Sequence, residues 1–262
     1  MPFRYGVFVP DSSGHPYMAV LPPPVRRTRR FPFASGVSSP TTRRSRLRLA
    51  LRVIGICAIG YLLLWAVGAL GILVASQWVR SETPPPAGAT KITGIQHFQP
   101  VDAERHLWRG SAPSPAGYRA LAEKNFSTVI DLRAEKLSVH QLTAPERAGL
   151  NVVRIPIRDG QTPKQGEVDR FVKAVRGADG SVFVHCGAGV GRTGTMAAAY
   201  TVRTGEDSGP DAVRRNLAVG PPSLEQIYYA YHLNGDDADQ PPAAVRAVSR
   251  MVDAPRRLMS YF

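Results

Sequence analysis

Acidic residues are almost missing from the first third of the chain. Residues 1–80 contain one, Asp11, against 11 arginines, whereas residues 81–262 hold 22 Lys+Arg against 19 Asp+Glu. The formal charge of +13 therefore belongs to one segment. A basic face spread over the folded part, as nucleic-acid binding needs, is excluded. Cysteine is scarce too. Cys57 and Cys186 are the only two, which rules out a disulfide-built scaffold and a four-cysteine zinc site. The six histidines, His15, His97, His106, His140, His185 and His232, show no metal-ligand spacing, so no metal or other cofactor is expected. Charge of either sign is absent from Val53 to Trp78, a run of 26 residues.

What is present divides the chain into segments. Residues 1–46 are rich in Pro, Ser and Arg, with Pro22-Pro23-Pro24 and paired arginines, and lack a sustained apolar period. Such a stretch buries too little apolar surface to offset its chain entropy and reads as a disordered basic tail. Thr28-Arg29-Arg30-Phe31 has the look of a twin-arginine export signal, but Pro32 and a polar stretch follow where an apolar run should.

Residues 47–80 read as a transmembrane anchor with its flanks, since about 20 apolar residues suffice to cross the hydrocarbon layer. A buried core helix would be shorter and carry a polar face. A cleaved signal peptide could use Val74-Ala75-Ser76, but its apolar core would be only about 7–15 residues long, and here 52 residues precede the run. The uncleaved anchor is preferred.

Arg43, Arg44, Arg46, Arg48 and Arg52 crowd the N-terminal flank, against Arg80 and Lys91 beyond it. Positive flanks stay cytoplasmic, so the N-terminus is expected inside and the remainder outside a single-pass cell-membrane protein, with Trp78 at the outer interface. Gly71 and Ala75 form one small-residue pair suited to helix association. Cys57 reads as a small residue packed in lipid, with acylation as the alternative. Residues 81–95, with SETPPPAGAT, read as a Pro-rich linker separating anchor from folded part.

From 96 to 235 the pattern alternates. Ser114-Pro115 caps a helix. STVIDLR (127–133), NVVRIPI (151–157) and SVFVHC (181–186) read as buried strands. Thr143-Ala-Pro-Glu146 has capping-box spacing. Residues 163–177 place Val168, Phe171, Val172 and Val175 on one helical face. Further helices are expected over 193–203, 212–218 and 223–232, and another in the C-terminal extension, 236–262. Strands alternating with helices imply an α/β fold, a central mostly parallel sheet flanked by helices.

The chemistry concentrates in Val184-His-Cys-Gly-Ala-Gly-Val-Gly-Arg-Thr-Gly194, between an apolar strand and a helix. A glycine-rich loop can turn successive N–H groups inward as an anion nest, and the helix start adds its positive dipole end. Arg192 can place two donors on the same anion. A cysteine at the foot of such a nest sits in a field that favours its thiolate. Nucleophile and dianion site together suit phosphoryl transfer to sulfur. A buried strand-end cysteine and a rhodanese-like sulfur carrier are the competing readings. Neither requires Arg192-Thr193 at this spacing.

This segment resembles the signature loop of the cysteine-dependent protein tyrosine phosphatase superfamily, His-Cys-x5-Arg-Ser/Thr, at His185, Cys186, Arg192 and Thr193. LWRGSAPSPAGYRALAEKNFSTVIDLR, from Leu107, is similar to the start of small dual-specificity members. The resemblance covers roughly residues 96–235. It implies that Cys186 forms a phosphocysteine and that Gly187, Ala188, Gly189, Val190, Gly191 and Arg192 bind the phosphoryl oxygens. It further implies that Thr193 hydrogen-bonds the sulfur and His185 supports the loop from behind.

The family's general acid is an aspartate upstream. The Trp-Pro-Asp triplet of the tyrosine-specific branch is missing, and Asp159 in Ile155-Pro-Ile-Arg-Asp-Gly160 is the best candidate, with Asp131 its rival. Gln226 resembles a water-positioning glutamine, or is a helix-surface residue. The expectation is a membrane-anchored phosphatase acting on phosphomonoesters, with phosphorylated proteins favoured because the loop interior lacks lysine. A phosphoinositide phosphatase and a non-catalytic phosphate-binding module are the alternatives.

Overall fold

The computed structural model describes residues 7–10, 16–19, 40–102, 104, 106–237 and 239–255, with side chains from residue 44 onward. Residues 1–53 and 54–262 form two units. In the first, β1 (Val7–Pro10) pairs antiparallel with β2 (Pro16–Ala19), and helix α1 (Pro40–Glu82) begins. The tail read as disordered thus holds a hairpin and a helix start. Strand formers at Val7-Phe8-Val9 and Tyr17-Met18 flank Asp11-Ser-Ser-Gly-His15, a turn-rich segment, which is a hairpin signal on a scale shorter than composition registers. The twin-arginine-like segment lies outside the described residues.

By length and composition α1 can cross a membrane, and its apolar side chains, among them Leu62, Val67, Leu70 and Trp78, stand exposed. The second unit then continues with β3 (Gln99–Pro100), β4 (Leu107–Gly110), α2 (Pro115–Glu123), β5 (Phe126–Arg133), α3 (Val139–Arg147) and β6 (Asn151–Ile157). After these come α4 (Gln165–Arg176), β7 (Ser181–His185), α5 (Gly191–Arg203), α6 (Gly209–Val219), α7 (Leu224–Tyr231) and α8 (Ala243–Val252). The sheet order is β3-β4-β7-β5-β6. β4, β7, β5 and β6 run parallel and only β3 is antiparallel, as the alternation of strands and helices implied.

The strand period of two sorts the core into layers. Ile130 and Leu132 of β5 and Val182 and Val184 of β7 pack with Val168 and Phe171 of α4, Met196 of α5 and Tyr229 of α7. Val129 and Phe183 face the other way, against Tyr118 and Leu121 of α2 and Phe98 and Phe126. Phe98 also stacks on Trp108, ring centroids 4.7 Å apart.

Three boundaries differ from the sequence expectation. α3 starts at Val139, capped by Ser138 and Gln141, so Thr143–Glu146 lie inside the helix. The linker is shorter than 81–95: α1 runs to Glu82, and Ile92 and Ile95 are already buried in the α2-side core. Nor does that linker hold the end of α1 away from the fold. Ser76 Oγ donates to Leu217 O at 2.7 Å, and Arg80 donates to Ala218 O and Val219 O, satisfying carbonyls left over at the end of α6. Further back, Tyr61 Oη donates to Met251 O at 3.0 Å, and Gly68 lies against Val252 of α8.

Candidate active site

The loop that follows β7 lies at the carboxyl end of a central parallel strand, where open α/β sheets place their ligands. The strand period turns Phe183 and His185 toward α2 and leaves Cys186 in the core layer under α5, 3% exposed. His185 is fully buried. Its Nδ1 lies 3.0 Å from Cys186 O, which can only accept, so Nδ1 carries the proton and Nε2 faces Tyr118 Oη at 3.4 Å. Burial pushes the His185 imidazole down to about 4, against the pull of Asp131 and the Cys186 carbonyl. The ring is therefore a neutral brace behind the loop.

The loop's carbonyls are held outward. Gly187 O accepts from Ala112 N, and Gly189 O and Val190 O accept from Arg109 Nη2 at 2.9 and 3.2 Å. In a trans peptide N–H and C=O point opposite ways. The amides of Ala188, Val190 and Gly191 are thus directed into the loop, where the start of α5 adds its positive end. Gly189 makes this possible. Its φ is +76°, and a β-carbon there would fall 2.3 Å from the Gly110 carbonyl carbon.

Arg192 closes the ring. Nη1 and Nη2 form a two-pronged pair with Glu135, at 2.8 and 2.7 Å, and Nη1 also donates to Ile157 O at 3.1 Å. Nη2 comes within 3.8 Å of the place a Gly187 β-carbon would occupy, so the guanidinium reaches back across the loop. Nε sits 3.3 Å from Asp159 Oδ1 without making a hydrogen bond. Burial works against the Arg192 charge, but the Glu135 hydrogen bonds and the charges of Cys186 and Asp159 outweigh it and raise its pKa. Burial also raises the Glu135 carboxyl, but the Arg192 hydrogen bond prevails and holds it below its usual range.

The expected residues therefore converge. His185 ends β7, Cys186 to Val190 form the loop, and Arg192 and Thr193 stand in the first turn of α5, while Asp159 reaches them from just past β6. The Thr193 hydroxyl is fully buried and bonds neither the sulfur nor any other described group. Asp131 is elsewhere: Arg133 grips it at 2.8–3.2 Å, and it lies 4.0 Å from His185. Burial raises its pKa, but the Arg133 hydrogen bonds win and lower it, as in a structural ion pair. Gln226 is not a surface residue. It is fully buried and touches both the signature loop and the Asp159 loop.

Two partners were not anticipated from sequence. Arg109 is buried in β4, and burial pushes its guanidinium down to about 10 while the Cys186 charge opposes that shift. Glu135 is the other. The available signals were an arginine inside the apolar Leu-Trp-Arg-Gly and a carboxylate just past the buried strand ending in Asp-Leu-Arg.

Residues 83–229, more than half of the chain, match the family model described as "DSP-PTPase phosphatase fused to NAD+ Kinase". The chain belongs to this phosphatase family. The phosphatase is 29% identical over 146 residues to human dual specificity protein phosphatase CDC14C, covering 49% of this chain and 32% of that one. It is 32% identical over 143 residues to the Caenorhabditis elegans tyrosine-protein phosphatase cdc-14, covering 50% and 20% respectively. The chain thus spans a third or less of these relatives. Among solved structures, the core catalytic domain of the PP-IP phosphatase SIW14 from S. cerevisiae is similar at a TM-score of 0.47 and 15% identity. That likeness covers 66% of this chain and all of that one.

Proposed function

We propose that this phosphatase hydrolyses phosphomonoesters through a phosphocysteine on Cys186. The carrying observation is a pair of buried donors at the start of α5, just past the cysteine loop, that make no hydrogen bond. Arg192 Nε and Thr193 Oγ1 are buried without a hydrogen-bond partner among the described residues, beside amides turned into the loop. A buried polar group left unpaired costs roughly 1–3 kcal/mol, so a loop that keeps such donors is organised for an oxyanion.

Cys186 Sγ attacks phosphorus, and the bond to the leaving oxygen breaks as S–P forms. The loop amides and Arg192 hold the three equatorial oxygens. Glu135 and Ile157 O fix the guanidinium plane for this task. Asp159 protonates the leaving oxygen. A water then attacks the phosphocysteine and gives its proton to Asp159. The electron pair returns to sulfur as the S–P bond breaks. His185 and Arg109 hold the loop's carbonyl side throughout.

A cleft of about 700 Å³ opens beside Gly187 and Ala188, lined also by Tyr118, Arg133, His140 and Ala144. With no lysine inside the loop, a phosphorylated protein is the favoured substrate class. The apolar run Val53–Trp78 anchors the phosphatase in the cell membrane, N-terminus inside, as the flanking arginines support.

Cys186→Ser tests the nucleophile. It is expected to abolish turnover of p-nitrophenyl phosphate while retaining phosphate binding by calorimetry, because the nest is mostly backbone. Turnover above a few per cent of the parent would overturn the assignment. An inactive parent that still binds phosphate would identify a binding module instead.

A further inference from the structure

We propose that Ser223 and Gln226, the capping pair of α7, are positioning residues that hold the Asp159 loop over the signature loop. A capping box needs its two side chains only as acceptors: here Ser223 Oγ accepts from Gln226 N at 3.1 Å, and Gln226 Oε1 accepts from Ser223 N at 3.0 Å. Each side chain then has a donor to spare, and both donors go to the same place. Ser223 Oγ donates to Gly160 O at 2.9 Å and Gln226 Nε2 to Gln161 O at 3.0 Å. Those are the two carbonyls that follow Asp159.

The chain contains its own control. The same motif caps α3, but there the pair is exposed and the spare hydroxyl of Ser138 turns back onto Gln141 Oε1 at 3.1 Å. At α7 both residues are fully buried. Gln226 also abuts the signature loop: a β-carbon on Gly191 would fall 2.6 Å from its Oε1. One amide thus touches the loop that carries the nucleophile and the loop that carries the acid. Gly160 needs this restraint, because its φ of +71° closes a turn in which Gln161 N donates to Arg158 O at 3.1 Å. With the two carbonyls fixed, Asp159 is kept beside Arg192. Without them the turn is free to swing and the carboxyl leaves the site.

The inference rests on the proposed role of Asp159 as general acid. The experiment compares phenyl phosphate, a poor leaving group, with p-nitrophenyl phosphate, a good one. Ser223→Asp keeps a helix cap but cannot donate, and Gln226→Met keeps the length but cannot donate. Each is expected to lower kcat on phenyl phosphate by ~10–100-fold, a part of the range general acid catalysis supplies. The loss on p-nitrophenyl phosphate should be much smaller. Ser223→Thr, which retains the hydroxyl, should restore the parent ratio. In an Asp159→Asn background neither variant should cost anything more. Equal losses on both substrates, or losses that add to those of Asp159→Asn, would overturn the latch and leave the acid in place. An Asp159→Asn protein with no leaving-group dependence would remove the acid and the latch together, while turnover through Cys186 would stand.

Discussion

Arg192 shows how much of this site depends on the shape of a charge. Its guanidinium meets Glu135 through two nitrogens and Ile157 O through one, and its Nε lies 3.3 Å from Asp159 Oδ1. An ammonium cannot meet three acceptors in one plane. Arg192→Lys is therefore expected to reduce kcat/KM nearly as far as Arg192→Ala, at least ~10²-fold, the scale of losing one transition-state donor. Glu135→Gln keeps one acceptor and should cost less, with the loss mainly in kcat. Steady-state kinetics of the three variants check this ranking. Cys186, Arg192 and Thr193 were legible in the sequence because their spacing is local. Glu135 was not, because its partner lies 57 residues away and only the sheet brings the two together.

The same division holds among the elements. β5, β6 and β7 could be read because each is a run of β-branched and aliphatic residues. β4 escaped because four residues with an arginine inside do not look like a buried strand; its charge is accommodated by carbonyls 80 and 81 residues on. α3 was misplaced because two capping patterns stand five residues apart, and Ser138-Gln141 is the one that folds.

His185 joins three of these elements, since it sits on β7, lies against Tyr118 of α2 and comes within 4.0 Å of Asp131 of β5. Its pKa falls from 6.5 to about 4 on folding, mainly through burial. Between those values the unfolded chain binds the proton and the native chain does not. The contribution to stability is therefore full above pH 6.5 and is lost as pH falls toward 4, by up to about 1.4 kcal/mol per pH unit for one proton. Denaturant midpoints measured across this window should decline accordingly. In His185→Asn, whose amide can still donate to Cys186 O, the decline should flatten. Asp131 and Glu135, with lowered pKa values, extend the loss to more acid pH.

At the scale of the whole molecule, the exposed apolar side chains of α1 call for a cover. If Val53–Trp78 spans a bilayer, an alkaline phosphatase reporter fused after Phe262 should be active and a cytoplasmic fluorescent one dark; the reverse would invert the orientation. Spanning also changes the fold locally. Ser76 and Arg80 lie at the C-terminal end of the run and can keep their bonds to α6. Tyr61 is 17 residues inward of Trp78, about 26 Å along the helix. Its bond to Met251 lies at that depth, and the seat of Val252 on Gly68 lies about 15 Å inward. Those two contacts are worth on the order of 1 kcal/mol and 1.5–3 kcal/mol. Lipid offers each Leu, Ile or Val of the run about 0.3–0.6 kcal/mol, and over the full stretch that sum prevails. Insertion would then part α8 from α1 and leave it held by α7 alone, where Glu225 N donates to Ser249 Oγ at 3.0 Å, and its Arg246 and Arg250 would be cut more readily. Trypsin should trim the C-terminal helix faster from phosphatase in vesicles than from the same chain kept from lipid, so the state of one end of the protein reports whether the other has entered the membrane.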